Sequence, residues 1–272
     1  MKIKFYGTRG AIPVCHKDFL EFGGNTTSIK IIRDNGRIAI LDAGSGIRNL
    51  GKDLLQEDVD QRDLFIAFSH FHWDHIQGFP FFEPAYNPDL VINILALGRD
   101  REITNLEGIF KEQMESQYFP VPMKNMGAKF NFLQVNRNKL TINDAVLKVI
   151  KQNHPGGSYG YRMEDNDKSL VILTDLEHGE SVLPEIVEFC KGADLLVHEA
   201  QYTNEMLARY RGWGHSSYDQ AMEVAERAGV KKLVMTHHDP DHNDAFLTRI
   251  EEECQQRLPN CVLARENMEI QL

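Results

Sequence analysis

Residues 69–75 read SHFHWDH and place three histidines and one aspartate within six positions. The apolar run DLFIAFS at 63–69 leads into them, and IQGFPFF follows at 76–82. Such a run predicts a short buried strand, so four metal-ligating or acid/base groups fall where a core strand ends. Histidines packed this closely repel one another when protonated, and a cation removes the conflict. Imidazole and carboxylate with no cysteine nearby suit Zn²⁺ and also admit Mn²⁺ or Fe.

The same arrangement recurs outward along the chain. VIKQN leads to His154, LVILT to Asp175 and KLVMT to His237. Residues at strand ends and in the loops beyond them converge on one edge of a sheet, where a rigid scaffold carries chemistry. Together His70, His72, Asp74, His75, His154, Asp175 and His237 make seven candidate ligands. That exceeds what one tetrahedral ion takes and suits two ions that share a carboxylate and a bridging water.

The remaining pattern interleaves strands and helices. TTSIKIIR and GRIAILDAG flank Asn35-Gly36 and read as a hairpin. SGIRNLGKDLLQ has helical spacing, with Ile47, Leu50, Leu54 and Leu55 on one side, and REITNLEGIFKEQM reads as a second helix. SSYDQAMEVAERAG carries a capping-box pattern, Ser217 with Gln220, and a glycine stop at Gly229. Early hairpins followed by alternating strands and helices predict an α/β fold of mixed sheets with outer helices. The 272 residues, 42% of them hydrophobic and without a Pro-, Gly- or Ser-rich linker, are read as one domain, 1–272.

Composition narrows the function. A formal charge of −10 disfavours extended nucleic acid as a partner, because backbone binding draws on basic surface. No apolar run approaches the roughly 20 residues that span a bilayer, and the N-terminus has no signal-peptide core. The expected location is cytoplasmic, with no membrane partner. Cys15, Cys190, Cys254 and Cys261 form no CxxC pair and are expected to be reduced.

SHFHWDH resembles the HxHxDH signature of the metallo-β-lactamase superfamily. Asp42 in ILDAG, His154, Asp175 and His237 follow in that superfamily's order. The resemblance implies a four-layer αββα sandwich with a dinuclear metal site on one edge. It implies that His70, His72 and His154 hold one metal, that Asp74, His75 and His237 hold the other, and that Asp175 bridges them. Asp42 would brace the ligand loops. HEAQYTNEM followed by GWGHSSYDQAMEVA is similar to the phosphodiesterase branch, which includes ribonuclease Z and bacterial cyclic-phosphate diesterases. In that branch the GHS histidine, here His215, contacts the scissile phosphate.

The expected activity is hydrolysis of a small or cyclic nucleotide phosphodiester by a metal-bridging hydroxide, with Asp74 orienting it and His215 as acid or phosphoryl clamp. His215 precedes a predicted helix N-terminus, whose free N–H groups favour an anion. Ser216, Trp213 and Arg211 are candidates for substrate contact, and His198 or Glu199 for orienting His215. A ribonuclease Z-like nuclease is the first alternative. Only 22 residues separate Asp175 from His198, which leaves no room there for a long RNA-gripping arm. A glyoxalase II-like thioester hydrolase would share the ligands without needing GHSS. A non-catalytic nucleotide-binding protein is the remaining alternative. Relatives of this kind often dimerise, so a homodimer is a further expectation by analogy.

Overall fold

The structure, a computed structural model, describes residues 1–57, 61–142 and 144–272. The chain starts with β1 (Lys2–Gly7), β2 (Ser28–Ile32), β3 (Ile38–Leu41), α1 (Ile47–Gln56), β4 (Asp63–Ala67) and α2 (Trp73–Ile76). It continues with β5 (Val91–Leu97), α3 (Leu106–Gln113), β6 (Lys129–Val135), β7 (Lys139–Ile142), β8 (Ala145–Gln152), β9 (Ser158–Asp165) and β10 (Lys168–Leu173). It ends with α4 (Pro184–Cys190), β11 (Leu195–Glu199), α5 (Asn204–Arg209), α6 (Tyr218–Ala228), β12 (Leu233–Thr236), α7 (Asp244–Arg257), β13 (Cys261–Leu263) and β14 (Glu269–Gln271).

Two seven-stranded sheets form, ordered β14-β1-β2-β3-β4-β5-β6 and β13-β12-β11-β10-β9-β8-β7. Both are mixed: β14 to β3 and β7 to β10 pair antiparallel, whereas β3 to β6 and β10 to β13 pair parallel. The Asn35-Gly36 turn closes the β2–β3 hairpin, with Gly36 at φ +77°. Strand alternation then sorts the side chains by face. Ile3, Phe5, Ile29, Leu41 and Leu95 of the first sheet meet Leu147, Val149, Tyr161, Ile172 and Val197 of the second in one buried cluster. On the first sheet's outer face, Ile40, Leu64, Ile66 and Ile94 pack under α1 and α3. On the second's, Val171, Leu173, Leu196 and Met235 pack under α4, α6 and α7. The result is the αββα sandwich.

The capping box forms as expected. Ser217 accepts from the Gln220 N–H, the Gln220 side chain accepts from the Ser217 N–H, and Gly229 closes α6 in the left-handed conformation. Three details differ from the sequence reading. Leu55 is 45% exposed, because the stripe of α1 that faces the sheet is Ile47, Leu50, Gly51 and Leu54. The helix expected from Arg101 starts only at Leu106, where the Asn105 side chain caps it by accepting from Gly108 N–H. Strands β6, β7, β13 and β14 carried no clear signal: β6 and β7 contain no fully buried residue, and β13 and β14 have three residues each.

Candidate metal centre

Parallel strands end on the same edge, and that edge gathers the seven candidate ligands. After β4 the chain turns through Phe68 and Ser69. The Asp42 carboxylate, just past β3, holds this turn by accepting from Ser69 N–H (2.8 Å) and Ser69 Oγ (2.7 Å). The same carboxylate lies 2.8 Å from His75 Nδ1, so it buttresses a candidate ligand as well. Asp42, Asp175 and His237 stand directly after β3 and near the ends of β10 and β12, all at φ close to +60°. This left-handed backbone is uncommon for residues other than glycine and turns each chain sharply off its sheet.

The ligand atoms fall into two groups. In His70, His72 and His154 one ring nitrogen of each lies within 4.8 Å of the others, and the same holds for Asp74, His75, Asp175 and His237. Asp175 faces both groups. Its Oδ1 is 3.7 Å from Nε2 of His70 and 3.7 Å from Nε2 of His154. Its Oδ2 is 3.1 Å from Nε2 of His75 and 3.4 Å from Nε2 of His237. Asp74 Oδ2 closes the second group, 3.2 Å from His75 Nε2 and 3.3 Å from His237 Nε2.

These spacings fit divalent cations. Bonds of about 2.0–2.1 Å around a tetrahedral ion place neighbouring ligand atoms about 3.3 Å apart. Nε2 of His70 is buried without a hydrogen-bond partner, and Nε2 of His75, although 3.1 Å from Asp175 Oδ2, makes no well-aligned hydrogen bond, a costly state that coordination would relieve. The opposite ring nitrogens are braced: His75 by Asp42, His154 Nδ1 by donating to Gly214 O at 2.9 Å, and His237 Nδ1 beside Gln201 Oε1 at 3.1 Å. Such outer partners fix ring orientation and tautomer in metal sites.

Electrostatics follow burial and neighbours. Burial, then the adjacent His75, pulls His70 well below the ordinary imidazole range. Burial acts on His75 too, but Asp74, Asp175 and Asp42 outweigh it and hold that ring above the range. Burial would raise Asp175, yet His237, His75 and His70 keep it ionised and well below the usual carboxylate value. Burial pushes Glu199 up to about 8 and His215 down to about 3.

A cleft of about 470 Å³ opens over the centre, lined by His72, Asp74, His154, Asp175, His237, His215 and Trp213 among others. A second cleft of about 770 Å³ meets it at His72 and His154. His215 stacks on His237 with ring centroids 5.1 Å apart, and its Nδ1 lies 3.8 Å from Glu199 Oε2. Glu199 is fully buried and accepts from the N–H groups of Leu176, Ser216 and Gln201.

Four expectations change here. His198 does not face His215. Alternation along β11 turns it to the other side of the sheet, where its Nε2 is 3.3 Å from His178 Nε2. The Ser216 hydroxyl donates to Leu176 O, so it is used inside the fold. Arg211 is 63% exposed, pairs with Glu180 at 3.2 Å and lines a different surface depression. The turn before α6 offers no row of free N–H groups, because those of Ser216, Ser217, Tyr218 and Gln220 bond to Glu199, Gln220, Tyr202 and Ser217.

Other contacts at the site were not read from the sequence. Ala11 N–H donates to Asp74 Oδ2 at 2.9 Å, from a loop in which a Cβ on Gly10 would sit 2.4 Å from the His237 ring. Gln201 follows β11 by two residues and sets its Oε1 3.1 Å from His237 Nδ1. Glu177, two residues after Asp175, binds the Gly212–Gly214 loop.

The comparisons with known proteins point the same way. Residues 37–238 match the beta-lactamase superfamily domain. A ribonuclease Z of Azobacteroides pseudotrichonymphae genomovar. CFP2 is 43% identical over 283 residues, covering 90% of this chain and 92% of that protein. Zn²⁺-bound PqqB from Methylobacterium extorquens superposes with a TM-score of 0.75 at 13% identity, covering 100% of both chains. A diphosphatase from the PhnP family superposes with a TM-score of 0.70 at 19% identity, over 100% of this chain and 97% of that one. At such identities the two structures speak for the fold alone. Among the described residues no helix is long and apolar enough to cross a membrane. The chain belongs to the metallo-β-lactamase superfamily, in the phosphodiesterase branch that includes ribonuclease Z, and is a metal-dependent hydrolase.

Proposed function

We propose that this hydrolase cleaves a small or cyclic nucleotide phosphodiester at a pair of divalent ions, with Zn²⁺ the preferred metal. The observation that carries the reading is the placement of His215 in the cleft beside two ligand groups joined by Asp175. His70, His72 and His154 would hold one ion, Asp74, His75 and His237 the other, and Asp175 both. When bound, such ions supply Lewis acidity and make hydroxide available from water near neutral pH.

The chain's own residues supply the rest. Asp74, held by Ala11 N–H, orients the attacking water. His215 lines the cleft with its Nδ1 on the Glu199 side, and since burial favours its neutral ring, its role is to hydrogen-bond a phosphoryl oxygen. Glu199 faces that ring from 3.8 Å without a hydrogen bond to it, and its own position is set by three main-chain N–H groups. Trp213, 63% exposed at the cleft, offers a face on which a base can stack.

A His215→Ala variant tests the assignment on bis(p-nitrophenyl) phosphate and a panel of cyclic nucleotides. Turnover should fall by roughly 10² or more while bound metal stays the same. Near-normal turnover would remove His215 from the mechanism. The 43% identical relative favours ribonuclease action as a second reading. Between β10 and β11 the chain has space for α4 and its turns only, and the net charge is −10, which argue against a tRNA grip there. Cleavage of precursor tRNA at low enzyme concentration would reverse the order.

A further inference from the structure

Glu177 is 6% exposed, yet it forms no ion pair among the described residues. Its carboxylate accepts from two main-chain donors of one loop: Gly212 N–H at 2.9 Å and Gly214 N–H at 2.8 Å. The Gly214 carbonyl in turn accepts from His154 Nδ1–H at 2.9 Å, which leaves Nε2 of that ring as the lone-pair nitrogen facing Asp175. The ring of contacts closes through Asn153, beside His154. Glu177 N–H donates to Asn153 O at 2.8 Å, and Asn153 Nδ2 donates to Glu177 O at 3.1 Å. A Cβ on Gly214 would lie 2.2 Å from His154 Nδ1, and φ is +92° there, so only glycine allows this approach. The loop between the two glycines carries Trp213, and His215 follows it.

We propose that Glu177 is a positioning residue that clasps the 210–214 loop over the cleft and, through the Gly214 carbonyl, fixes the tautomer and aim of His154. The consequence for metal rests on the reading of His154 as a ligand. The clasp itself does not. Glu177 acts on the group formed by His70, His72 and His154, and it makes no contact with Asp74, His75 or His237. Its loss therefore weakens one metal position and spares the other.

Two measurements on Glu177→Gln separate the claims. The amide keeps the size of the side chain, but with its oxygen in the Oε2 position, which accepts from both Gly212 and Gly214, it turns a donor toward Gly212 N–H where Oε1 had been a second acceptor, and it removes the charge from both remaining bonds. In metal-stripped protein, trypsin should nick after Arg209 or Arg211 roughly tenfold faster than in the parent, since loss of one charge-assisted hydrogen bond raises the open population about that much. Equal nicking overturns the clasp. In calorimetric titration with Zn²⁺, one of two binding events should weaken by about 10–100-fold and the other stay unchanged. Two unchanged events, or two equally weakened ones, overturn the link to His154. Glu177→Asp keeps the charge and should recover part of both effects. It also carries the same readouts if the glutamine variant does not fold. Parent protein that takes up no metal would sink the proposed function, while the nicking rates would still decide the clasp.

Discussion

The seam between the two sheets has two ends, and they are built on opposite principles. At one end stand Asp42, Asp175 and His237, together with Ala11 of the facing loop, all at positive φ. There Nε2 of His70, Nε2 of His75 and Nδ1 of His215 are buried without a hydrogen bond. At the other end Arg33, past β2, meets Asp165, at the end of β9, in a two-pronged pair: Nε to Oδ2 at 2.8 Å and Nη2 to Oδ1 at 2.9 Å. Beside this pair lies an apolar cavity of about 90 Å³, lined by residues such as Ile31, Ile40, Phe65, Leu147 and Leu170. Strained backbone costs on the order of 1–3 kcal/mol per residue and persists only where surrounding structure enforces it. Positive φ also occurs at the far end, at Asp144 and Asn166, so what sets the first end apart is its buried nitrogens: Nε2 of His70 and Nε2 of His75 lack a hydrogen bond where a cation can satisfy them. The far end joins the sheets with complementary charges and apolar surface. Residues at the first end should matter for metal and turnover, and residues at the second for stability.

The sharpest break in this contrast comes from Asp175, which touches both ligand groups. Asparagine tolerates the left-handed backbone found there, so Asp175→Asn removes charge and keeps the turn. Metal uptake should drop from two ions to at most one. Phosphodiester turnover should fall by more than about 10²-fold, beyond what loss of an outer partner costs. Elemental analysis that still finds two ions would end the idea of a shared carboxylate.

Asp165→Asn probes the other end. Removing one partner of a buried pair leaves Arg33 without its carboxylate, and the expected cost is roughly 3 kcal/mol in urea unfolding. Metal content and turnover of the folded fraction should not change. The pH dependence has a definite sign. Hydrogen bonding to Arg33 holds Asp165 below its ordinary value of 3.8, against the opposing effect of burial. The group's contribution is therefore fully present above the unfolded value and is lost as pH falls through the lower folded one. The difference between parent and variant should be constant near neutrality and shrink below about pH 4. A difference that grows on acidification would refute the assignment.

Much of the near end was legible in the sequence, for a physical reason. Histidine and aspartate directly after apolar strands are conspicuous, because burial there is costly unless something binds them. His70, His72, Asp74, His75, His154, Asp175 and His237 could be named before any fold was known. Side-chain direction was less legible. His198 and Glu199 are adjacent, and only the facing of β11 decides that Glu199 lies by His215 while His198 lies by His178. Main-chain partners were not legible at all. The link from Ala11 N–H to Asp74, and the one from Gly212 and Gly214 to Glu177, depend on loops that meet across long stretches of chain. GWG did hold a hint, since two glycines around an aromatic residue suggest backbone that must pass close to something. Arg33 and Asp165 were equally hidden, because a charge at a hairpin end usually faces water.

The smallest expected effect tests whether the far end is purely structural. Ala39 lies on β3 opposite Phe65 of β4, lines the 90 Å³ cavity, and shares the inner face of its strand with Leu41. Valine there adds two methyl-sized groups to space the sheets do not fill, and β-branching suits a strand. At about 0.8 kcal/mol per buried methylene, less the cost of fixing the side chain, Ala39→Val should stabilise by about 1 kcal/mol. The sign is informative because the opposite case has its own magnitude: forcing extra groups into a packed core costs about 1–3 kcal/mol. A gain in urea stability with unchanged metal content and turnover would separate the two ends cleanly. A change in metal affinity would mean that packing at the far end reaches Asp42 through β3, three residues on from Ala39, and the division would then have to be redrawn as a gradient along the strands.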